Sequence, residues 1–382
     1  MRKSICALLV LLLFSACVGK KEHAVSSGKE PLTQPDSSMT LHYATGFKVD
    51  YFKDYKRVVL YDPWNKGEVL IRYYLTENMS SPIPIDGIRI KVPLHSLASG
   101  SCTHFTFMQQ LNVLHYVTGI CDASRTYNAY LRGRLKSGAV VDLGDPFKID
   151  LERCLMLKPE VLMINSYNKQ DENLERIKDA GIPVLYNNEW METDLLGRAE
   201  WIRFIACFFN LEAQAAQIFE GVESSYKQIK QQVARSTVAQ PSVLSGDDFR
   251  GSWYMPGGKS FTAQLFRDAG ANYKYSKDTT TGSNPFTFEQ VLHDFNQAEV
   301  WVGVTNASTK ADLKQLDERY TLFRAFRNDQ IWAYTLKTTP QGGNDFWETG
   351  VARPDWLLSD YAKIFHPDIL TNVPFHFLRK IK

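Results

Sequence analysis

The chain has 382 residues, of which 44% are hydrophobic, and its 44 Lys and Arg residues nearly balance its 42 Asp and Glu residues. This even charge balance, without a basic stripe, argues against a nucleic-acid partner. The length is sufficient for two domains with substantial hydrophobic cores.

The N-terminus predicts an export signal. A basic pair precedes the apolar run Ile5–Phe14, which is too short to span a bilayer. Two small residues and Cys17 follow, a pattern that resembles the lipobox at which a signal peptidase cuts and the new N-terminal cysteine is lipidated. An ordinary secretory signal is the alternative, because Phe14 replaces the usual Leu, Val or Ile. We predict a signal peptide over residues 1–16 and a lipidated, flexible tether over residues 17–40.

Four cysteines follow Cys17, and no two of them are spaced as CxxC, which argues against a zinc knuckle or a thioredoxin-type motif. They are Cys102, Cys121, Cys154 and Cys207. Cys102 and Cys121 flank a predicted helix, so in an oxidising cell envelope they are candidates for a disulfide. Buried free thiols are the alternative.

Alternating strand and helix patterns predict an N-terminal α/β lobe over residues 41–211. The first two strands are expected to be antiparallel because a short turn joins them, whereas the later strand–helix units favour a mainly parallel sheet. The predicted strands are Arg57–Tyr61, Val69–Leu75, Ile88–Pro93, Glu160–Asn165 and Ile182–Tyr186. The predicted helices are Thr103–Tyr116, Lys148–Leu157, Asp171–Ala180 and Asp194–Phe209.

A long amphipathic helix is predicted over Glu212–Arg235, because apolar residues recur every three or four positions. At about 1.5 Å per residue this linking segment, residues 212–236, is long enough to join two lobes. A C-terminal α/β lobe is predicted over residues 237–382. Its strands are Ser242–Leu244, Val300–Val304 and Gln330–Tyr334, and its helices are Thr262–Ala269, Phe286–Phe295, Lys310–Phe326 and Pro354–Phe365.

The predicted fold class is therefore α/β, with two similar lobes, mainly parallel central sheets, one long rigid linking helix and a ligand cleft between the lobes. A partial repeat supports the similarity of the lobes. Asp150-Leu151-Glu152 opens a helix that leads to the strand at Val161, and Thr287-Phe288-Glu289 opens another that leads to the strand at Val300.

Several short segments in a fixed order carry a family resemblance. They are Asp150–Arg153, Leu157–Leu162, Ala180–Val184, Phe288–Leu292, Arg353–Asp355 and His366–Pro367. Their order and spacing resemble the substrate-binding proteins of ABC importers for iron siderophores, haem and cobalamin, and the resemblance covers nearly the whole chain after about Leu41. It implies a non-catalytic, lipid-anchored protein of the cell envelope. Such a protein needs no cofactor and captures an iron chelate or a corrinoid.

The same resemblance implies a partner, an ABC permease with its ATPase. Two glutamates, one on each lobe, dock onto permease arginines in that family, and by motif position they correspond to Glu152 and Glu289. A carboxylate at a helix start is stabilised by the helix dipole and can pair with an arginine of a partner. The alternative is that both residues merely favour their own helix starts. We expect a monomer.

Ligand-binding candidates follow from the predicted cleft, where loops at the carboxyl ends of parallel strands converge. They are His95, Ser96, Tyr167, Trp190, Trp253, Tyr254, Lys259, Gln341, Trp347 and Arg353. Aromatic rings offer flat apolar walls and the cations can meet anionic groups. Trp253 and Tyr254 rank highest because a glycine-rich turn follows them, although core packing is the alternative for any single aromatic residue. If the ligand is haem, His95, Tyr167 or Tyr254 is the candidate axial ligand.

Other functions find weaker support. Gly258-Lys259-Ser260 lacks the glycine that a phosphate loop requires five residues earlier, where Trp253 stands. GxSxG and HExxH motifs are missing from the sequence, and the eight histidines are scattered. His104 and His115 are expected to pack on one face of a predicted helix. A metal-tetrapyrrole-handling enzyme or a metallochaperone on the same scaffold remains the alternative, because a fold does not fix a function.

Overall fold

A mixed, mainly antiparallel sheet opens the folded part of the chain in the computed structural model, which describes residues 34–167, 172–305 and 307–382. Its strands are β1 (Ser37–Ser38), β2 (Phe47–Tyr51), β3 (Lys56–Tyr61), β4 (Val69–Thr76) and β5 (Ile88–Lys91). The antiparallel pairing of β3 with β4 confirms that prediction. β5 also joins this sheet, parallel to β4, and so does not belong to the central parallel sheet.

The predicted signal peptide, Cys17 and most of the tether lie outside the described residues. The folded unit spans Asp36–Lys382. Since β1 pairs with β2, the last residues of the predicted tether belong to the folded body. Among the described residues, no helix is both long and apolar enough to cross a membrane.

A five-stranded parallel sheet forms the centre of the N-terminal lobe, in the order β12-β11-β6-β7-β8. The strands of this region are β6 (Leu97–Ser99), β7 (Val117–Ile120), β8 (Val141–Asp142), β9 (Gly144–Asp145), β10 (Lys148–Ile149), β11 (Val161–Ile164) and β12 (Val184–Tyr186); β9 and β10 form a separate hairpin. The helices are α1 (Phe105–Gln110), α2 (Ala129–Lys136), α3 (Leu151–Leu157), α4 (Glu172–Asp179), α5 (Leu195–Glu200) and α6 (Ile202–Cys207). Single 3-10 turns cover Cys102–His104, Leu114–Tyr116, Ala123–Arg125 and Glu189–Met191.

Alternation along these strands builds two apolar layers. Leu97, Val161 and Met163 face the main core, whereas Ala98, Leu162 and Ile164 face a smaller core. Because successive strand side chains point to opposite faces, both faces of a parallel sheet covered by helices must be apolar. The central strands β6 and β11 are accordingly buried along their whole length.

The linking helix α7 (Glu212–Arg235) has the predicted bounds. It buries Phe219, Val222, Tyr226, Ile229 and Val233 at three- and four-residue spacing. The main core continues from the N-terminal lobe along this apolar stripe into the C-terminal lobe. The two α/β lobes are therefore joined by one packed helix rather than by a loose linker.

The C-terminal lobe has a smaller central sheet in the order β13-β17-β18-β19, parallel except for its last strand, and an antiparallel sheet in the order β14-β15-β16. The strands are β13 (Val243–Ser245), β14 (Asp248–Phe249), β15 (Ser252–Pro256), β16 (Ser283–Phe286), β17 (Val300–Val304), β18 (Ile331–Ala333) and β19 (Arg379–Lys380). The helices are α8 (Phe261–Asp268), α9 (Phe288–Phe295), α10 (Lys310–Leu316), α11 (Arg324–Arg327), α12 (Asp345–Thr349) and α13 (Pro354–Phe365), with a 3-10 segment over Glu318–Leu322.

Three predicted helices are interrupted. The helix predicted over Thr103–Tyr116 ends after Gln110, because Asn112 adopts a positive φ of 59°. His104 and His115 therefore do not share one helix. The helix predicted over Asp194–Phe209 divides into α5 and α6 at Trp201, and the one predicted over Lys310–Phe326 divides at the 3-10 segment.

Candidate functional site

The two lobes meet around a cavity of about 780 Å³. The N-terminal lobe lines it with residues between 106 and 130, from α1, the following turn and the start of α2. The C-terminal lobe contributes residues between 337 and 356, from the segment after β18 and the start of α13. A cavity of this volume between two α/β domains has the usual dimensions of a small-ligand site.

Glu348, on α12, links the two lobes through hydrogen bonds beside this cavity. Its side chain is 2% exposed. Oε1 accepts the backbone N–H of Tyr127 at 2.5 Å, and Oε2 accepts that of Asn128 at 2.9 Å. Burial raises the pKa of Glu348 to about 7, because the loss of hydration outweighs the two N–H donors. The carboxyl group is thus a titratable contact between the lobes.

Close packing surrounds this contact. The hydroxyl oxygens of Thr106 and Thr349 lie 3.1 Å apart across the lobe boundary. Gly343 approaches the backbone so closely that an added Cβ would lie 2.7 Å from the carbonyl oxygen of Arg125 and 2.8 Å from that of Thr126. Any larger residue at Gly343 would push the two lobes apart.

A second set of contacts joins the lobes through α5 and α8. The Gln264 side chain accepts the backbone N–H of Leu195 at 3.1 Å and donates to Asp194 at 2.8 Å. The guanidinium of Arg198 lies 4.7 Å from the ring centre of Phe261. The residues that precede and begin α5 therefore lie at the lobe boundary.

Behind Arg198 lies a buried acidic residue of the turn that follows β12. Glu189 has no exposed surface, and its Oε1 lies 3.7 Å from Nη2 of Arg198. Burial raises the pKa of Glu189, and the charge of Arg198 and the hydroxyl of Thr103 oppose only part of this effect. Burial likewise lowers the pKa of Arg198. The pair occupies the carboxyl end of the parallel sheet.

Tyr167 and Trp190, two predicted ligand residues, lie together at the same edge of the sheet. Their ring centres are 5.6 Å apart, and the exposed ring of Phe147 lies 5.0 Å from Tyr167. A second cavity, of about 650 Å³, is lined by Tyr167 and Phe147. The aromatic wall expected in the N-terminal lobe thus consists of these three rings.

The structure corrects the interpretation of Trp253. The segment predicted as a glycine-rich loop forms β15, and the Trp253 side chain is 0% exposed. Its indole N–H donates to the carbonyl of Ser245 at 2.7 Å, and its ring packs 5.7 Å from that of Trp301. Trp253 is therefore a core residue, whereas Tyr254, on the opposite face of the strand, is exposed.

The structure also corrects the interpretation of His95 and Ser96. Both precede β6, and the Glu160 carboxylate that accepts their backbone N–H groups, at 2.7 and 3.2 Å, precedes the parallel strand β11. They therefore lie at the amino end of the sheet, opposite the expected cleft. The error arose because the three-residue strand β6 was taken for a loop.

The remaining candidates in the C-terminal lobe are spread out. Lys259 is exposed after β15, Gln341 is exposed in the turn after β18, and Trp347 is half-exposed on α12 beside Glu348. Arg353 lines the 780 Å³ cavity. Its guanidinium, however, is held by Asp355 at 2.8 and 2.6 Å and stacks 3.9 Å from the Trp356 ring centre, so it is already neutralised.

The two predicted docking glutamates occupy equivalent positions in the first turns of α3 and α9. Asp150 and Thr287 cap these helices, and Thr287 forms a capping box. Glu152 is exposed. Glu289 is also exposed, and it pairs with Arg319 at 2.9 Å. The pairing role with a permease stays a prediction.

The four cysteines after Cys17 are free thiols in the structure. Of the two alternatives, free thiols are therefore found rather than a disulfide between Cys102 and Cys121. Burial raises the pKa of each of these two thiols to about 12. In the described ranges, His, Cys, Asp and Glu side chains nowhere form a group of three that would suit a metal ion.

Sequence reasoning missed Glu348, Glu189 and Arg198. A signal was available for Glu189, because it lies three residues after the end of β12 and next to the chosen Trp190. Arg198 and Glu348 offered no local signal, since their importance depends on contacts with the opposite lobe.

Comparisons with known proteins agree with this architecture. Residues 114–337 match the model of a family described as periplasmic binding protein. An uncharacterized lipoprotein of Methanocaldococcus jannaschii is 25% identical over 98% of this chain and 95% of its own length. The structure of a periplasmic heme-binding protein of Roseiflexus sp. RS-1 matches with a TM-score of 0.56 and 18% identity, over 72% of this chain and 98% of its own. The structure from an ABC-type Fe3+-hydroxamate transport system of Saccharomonospora viridis matches with a TM-score of 0.54 and 18% identity, over 72% and 93%.

Proposed function

Because the chain belongs to the periplasmic binding protein family, we propose that it is the lipid-anchored substrate-binding protein of an ABC importer. It captures an iron chelate, either a ferric siderophore or haem, or a corrinoid, and delivers this ligand to a permease with its ATPase. It acts without a cofactor of its own, as a monomer at the cell envelope. The cavity that both lobes line is the observation that carries this proposal.

The contacts around the cavity support the capture of a ligand between the two lobes. Glu348 and the Thr106–Thr349 pair join the lobes on one side of it, and Gln264 joins them elsewhere. The lobes share the core along α7. Because packed cores and helices deform little, closure around a ligand should be a small movement. The similar proteins favour the same role, since one is described as a lipoprotein, one as a periplasmic heme-binding protein, and one comes from an ABC-type Fe3+-hydroxamate transport system.

Ligand titration tests the proposal directly. We expect the protein to bind at least one of haem, cobinamide and a ferric hydroxamate siderophore with a Kd below about 1 μM, which corresponds to about 8 kcal/mol. Absorbance of the chelate and tryptophan emission would follow the titration. Binding of none of the three below this concentration would contradict the proposal.

Docking onto the permease gives a separate prediction. The double variant Glu152→Ala with Glu289→Ala should lower uptake of the bound chelate by cells at least tenfold, because each lobe loses a carboxylate that pairs with an arginine of the permease. Chelate affinity should stay within about twofold, since neither residue lines the cavity between the lobes.

The matched control for docking is the double variant Glu68→Ala with Glu220→Ala. Both residues are exposed and lie outside α3 and α9. Uptake by this control should equal that of the unmodified protein. Equal uptake by the docking variant would remove Glu152 and Glu289 from the interface with the permease.

A further inference from the structure

The residues that follow β12 carry buried hydrogen-bonding groups that the described part of the protein leaves unpaired. They are Oδ1 and Nδ2 of Asn187, Nδ2 of Asn188, Nε1 of Trp190 and Nε of Arg198. Oε1 of Glu189 accepts no hydrogen bond and has only the 3.7 Å ion pair with Arg198. Asn187 and Glu189 have no exposed surface. Native proteins rarely leave such groups unsatisfied, so a cluster of them indicates that something else completes their hydrogen bonds.

The residues of these groups do not line the 780 Å³ cavity, but they lie where a ligand binds in this type of fold. They stand at the carboxyl end of β12, where ligands of parallel α/β sheets bind. Arg198 stacks on Phe261 of the opposite lobe, and Glu189 lies behind Arg198. The Trp190 ring belongs to the exposed aromatic wall around Tyr167. The polar cluster is therefore enclosed by both lobes and by that wall.

The chemistry of the cluster is mixed. Oδ1 of Asn187 is a free acceptor, and Oε1 of Glu189 has only its long ion pair with Arg198. Asn187, Asn188, Trp190 and Arg198 offer free donors. An anionic group would satisfy the donors and repel the Glu189 carboxylate. A cation would satisfy the acceptors and repel Arg198. An amide supplies one carbonyl oxygen and one N–H in a fixed arrangement, and so it suits both sets.

We propose that residues 187–190 and Arg198 form a recognition site for the carboxamide or peptide groups of the captured chelate. The ligand is then an amide-bearing metal chelate, rather than a tetrapyrrole that carries only carboxylates. This inference rests on the proposed function and narrows its ligand class. Enclosed water molecules are the competing explanation for the unpaired groups, and binding experiments separate the two.

The first experiment compares three probes on the full chain in detergent by calorimetry. Cobinamide carries carboxamides, a ferric hydroxamate cyclic peptide carries peptide amides, and haem carries carboxylates without amides. At least one amide-bearing probe should bind at least tenfold more tightly than haem. Tighter binding of haem would overturn the inference and leave the proposed function standing. Binding of none of the three would overturn both.

The second experiment removes single groups of the cluster. Trp190→Phe keeps a ring and deletes the indole donor, and Glu189→Gln keeps the size and deletes the charge. Each substitution should weaken the binding of the preferred amide-bearing probe about tenfold. This is roughly the contribution of one well-formed hydrogen bond to a charged or buried group. Haem binding, where measurable, should change less than twofold.

Trp332→Phe is the matched control, because Nε1 of Trp332 also lacks a partner among the described residues. Trp332 lies on β18 and packs 5.0 Å from the Phe375 ring, outside the cluster. Near-ultraviolet circular dichroism and the thermal midpoint establish folding. Should Glu189→Gln fail to fold, Trp190→Phe still decides the question. Unchanged affinity in Trp190→Phe would show that the cluster is structural or hydrated, and would overturn the inference alone.

Discussion

Replacing Glu348 with glutamine should abolish a pH dependence of lobe contact that we expect of the unmodified protein between pH 6 and pH 8. Burial at the lobe boundary raises the pKa of Glu348 to about 7, whereas an exposed glutamate titrates near 4.3. A raised pKa means that the closed form binds the proton more tightly than the open form. Closure is therefore favoured as the pH falls through 7, and this advantage is lost as the pH rises through 7. The ratio of closed to open protein should be about tenfold higher at pH 6 than at pH 8.

Amide hydrogen exchange at the lobe boundary measures the ratio of closed to open protein. The amides of Tyr127 and Asn128 donate to Glu348 across the boundary, so their protection, corrected for intrinsic exchange, reports closure. In Glu348→Gln the protection should be independent of pH. The same pH dependence in this variant as in the unmodified protein would contradict the assignment.

Other titratable and charged groups lie near Glu348. Their contributions to the pH dependence must be distinguished from that of Glu348. The charge of Asp345 raises the pKa of Glu348 and that of Arg132 lowers it, and the Cys102 thiol lies close by. His115, Lys337 and Arg353 line the same cavity. His115→Gln is the control, because His115 lines the same cavity as Glu348. The tenfold effect should persist in this variant if Glu348 is its source.

Removing the Glu200 side chain should lower the free energy of unfolding more than any other substitution described above. Its buried carboxylate accepts the backbone N–H groups of His42, Tyr43 and Ala44 at 2.8 to 3.1 Å. Glu200→Ala leaves these three donors without their acceptor, so the free energy of unfolding should fall by about 3–5 kcal/mol. Urea denaturation followed by circular dichroism measures this change.

Glu220→Ala is the matched control for Glu200, because Glu220 is an exposed glutamate of α7. Its effect on the free energy of unfolding should be within about 0.5 kcal/mol. A loss below about 1 kcal/mol in Glu200→Ala would show that the N–H donors find other acceptors. The expected loss would establish that residues 42–44 are tied firmly to α5, close to the point where the predicted tether enters the folded body.

The parts of the fold that depend on long periodic patterns were predictable. The apolar repeat along α7 fixed its bounds, and the capped helix starts at Asp150 and Thr287 were visible in the sequence. Short elements were not predictable. β6 has three residues, so no alternation marks it. The glycine-rich turn after β15 hid that strand, and its partner β16 follows only after α8.

The candidate site residues likewise divide into those whose positions were predictable from the sequence and those whose positions were not. Tyr167 and Trp190 lie within four residues of the ends of the buried strands β11 and β12, which is why the sequence placed both at the same edge of the sheet. Trp253 was misplaced because strand alternation, rather than the neighbouring turn, decides which way its side chain points. Glu348 depends on a contact between residues more than 200 positions apart, and no local pattern encodes such a contact.

The four free thiols described above should react slowly with labelling reagents, which is useful for experiments on this chain. A low-pKa, accessible thiolate is the form that reacts with maleimides and methanethiosulfonates, and burial raises the pKa of Cys102, Cys121, Cys154 and Cys207. Cysteines engineered on the surface, one on each lobe, should therefore label selectively in the native background. Paired spin labels or fluorophores placed in this way would record the distance between the lobes while a chelate enters and leaves.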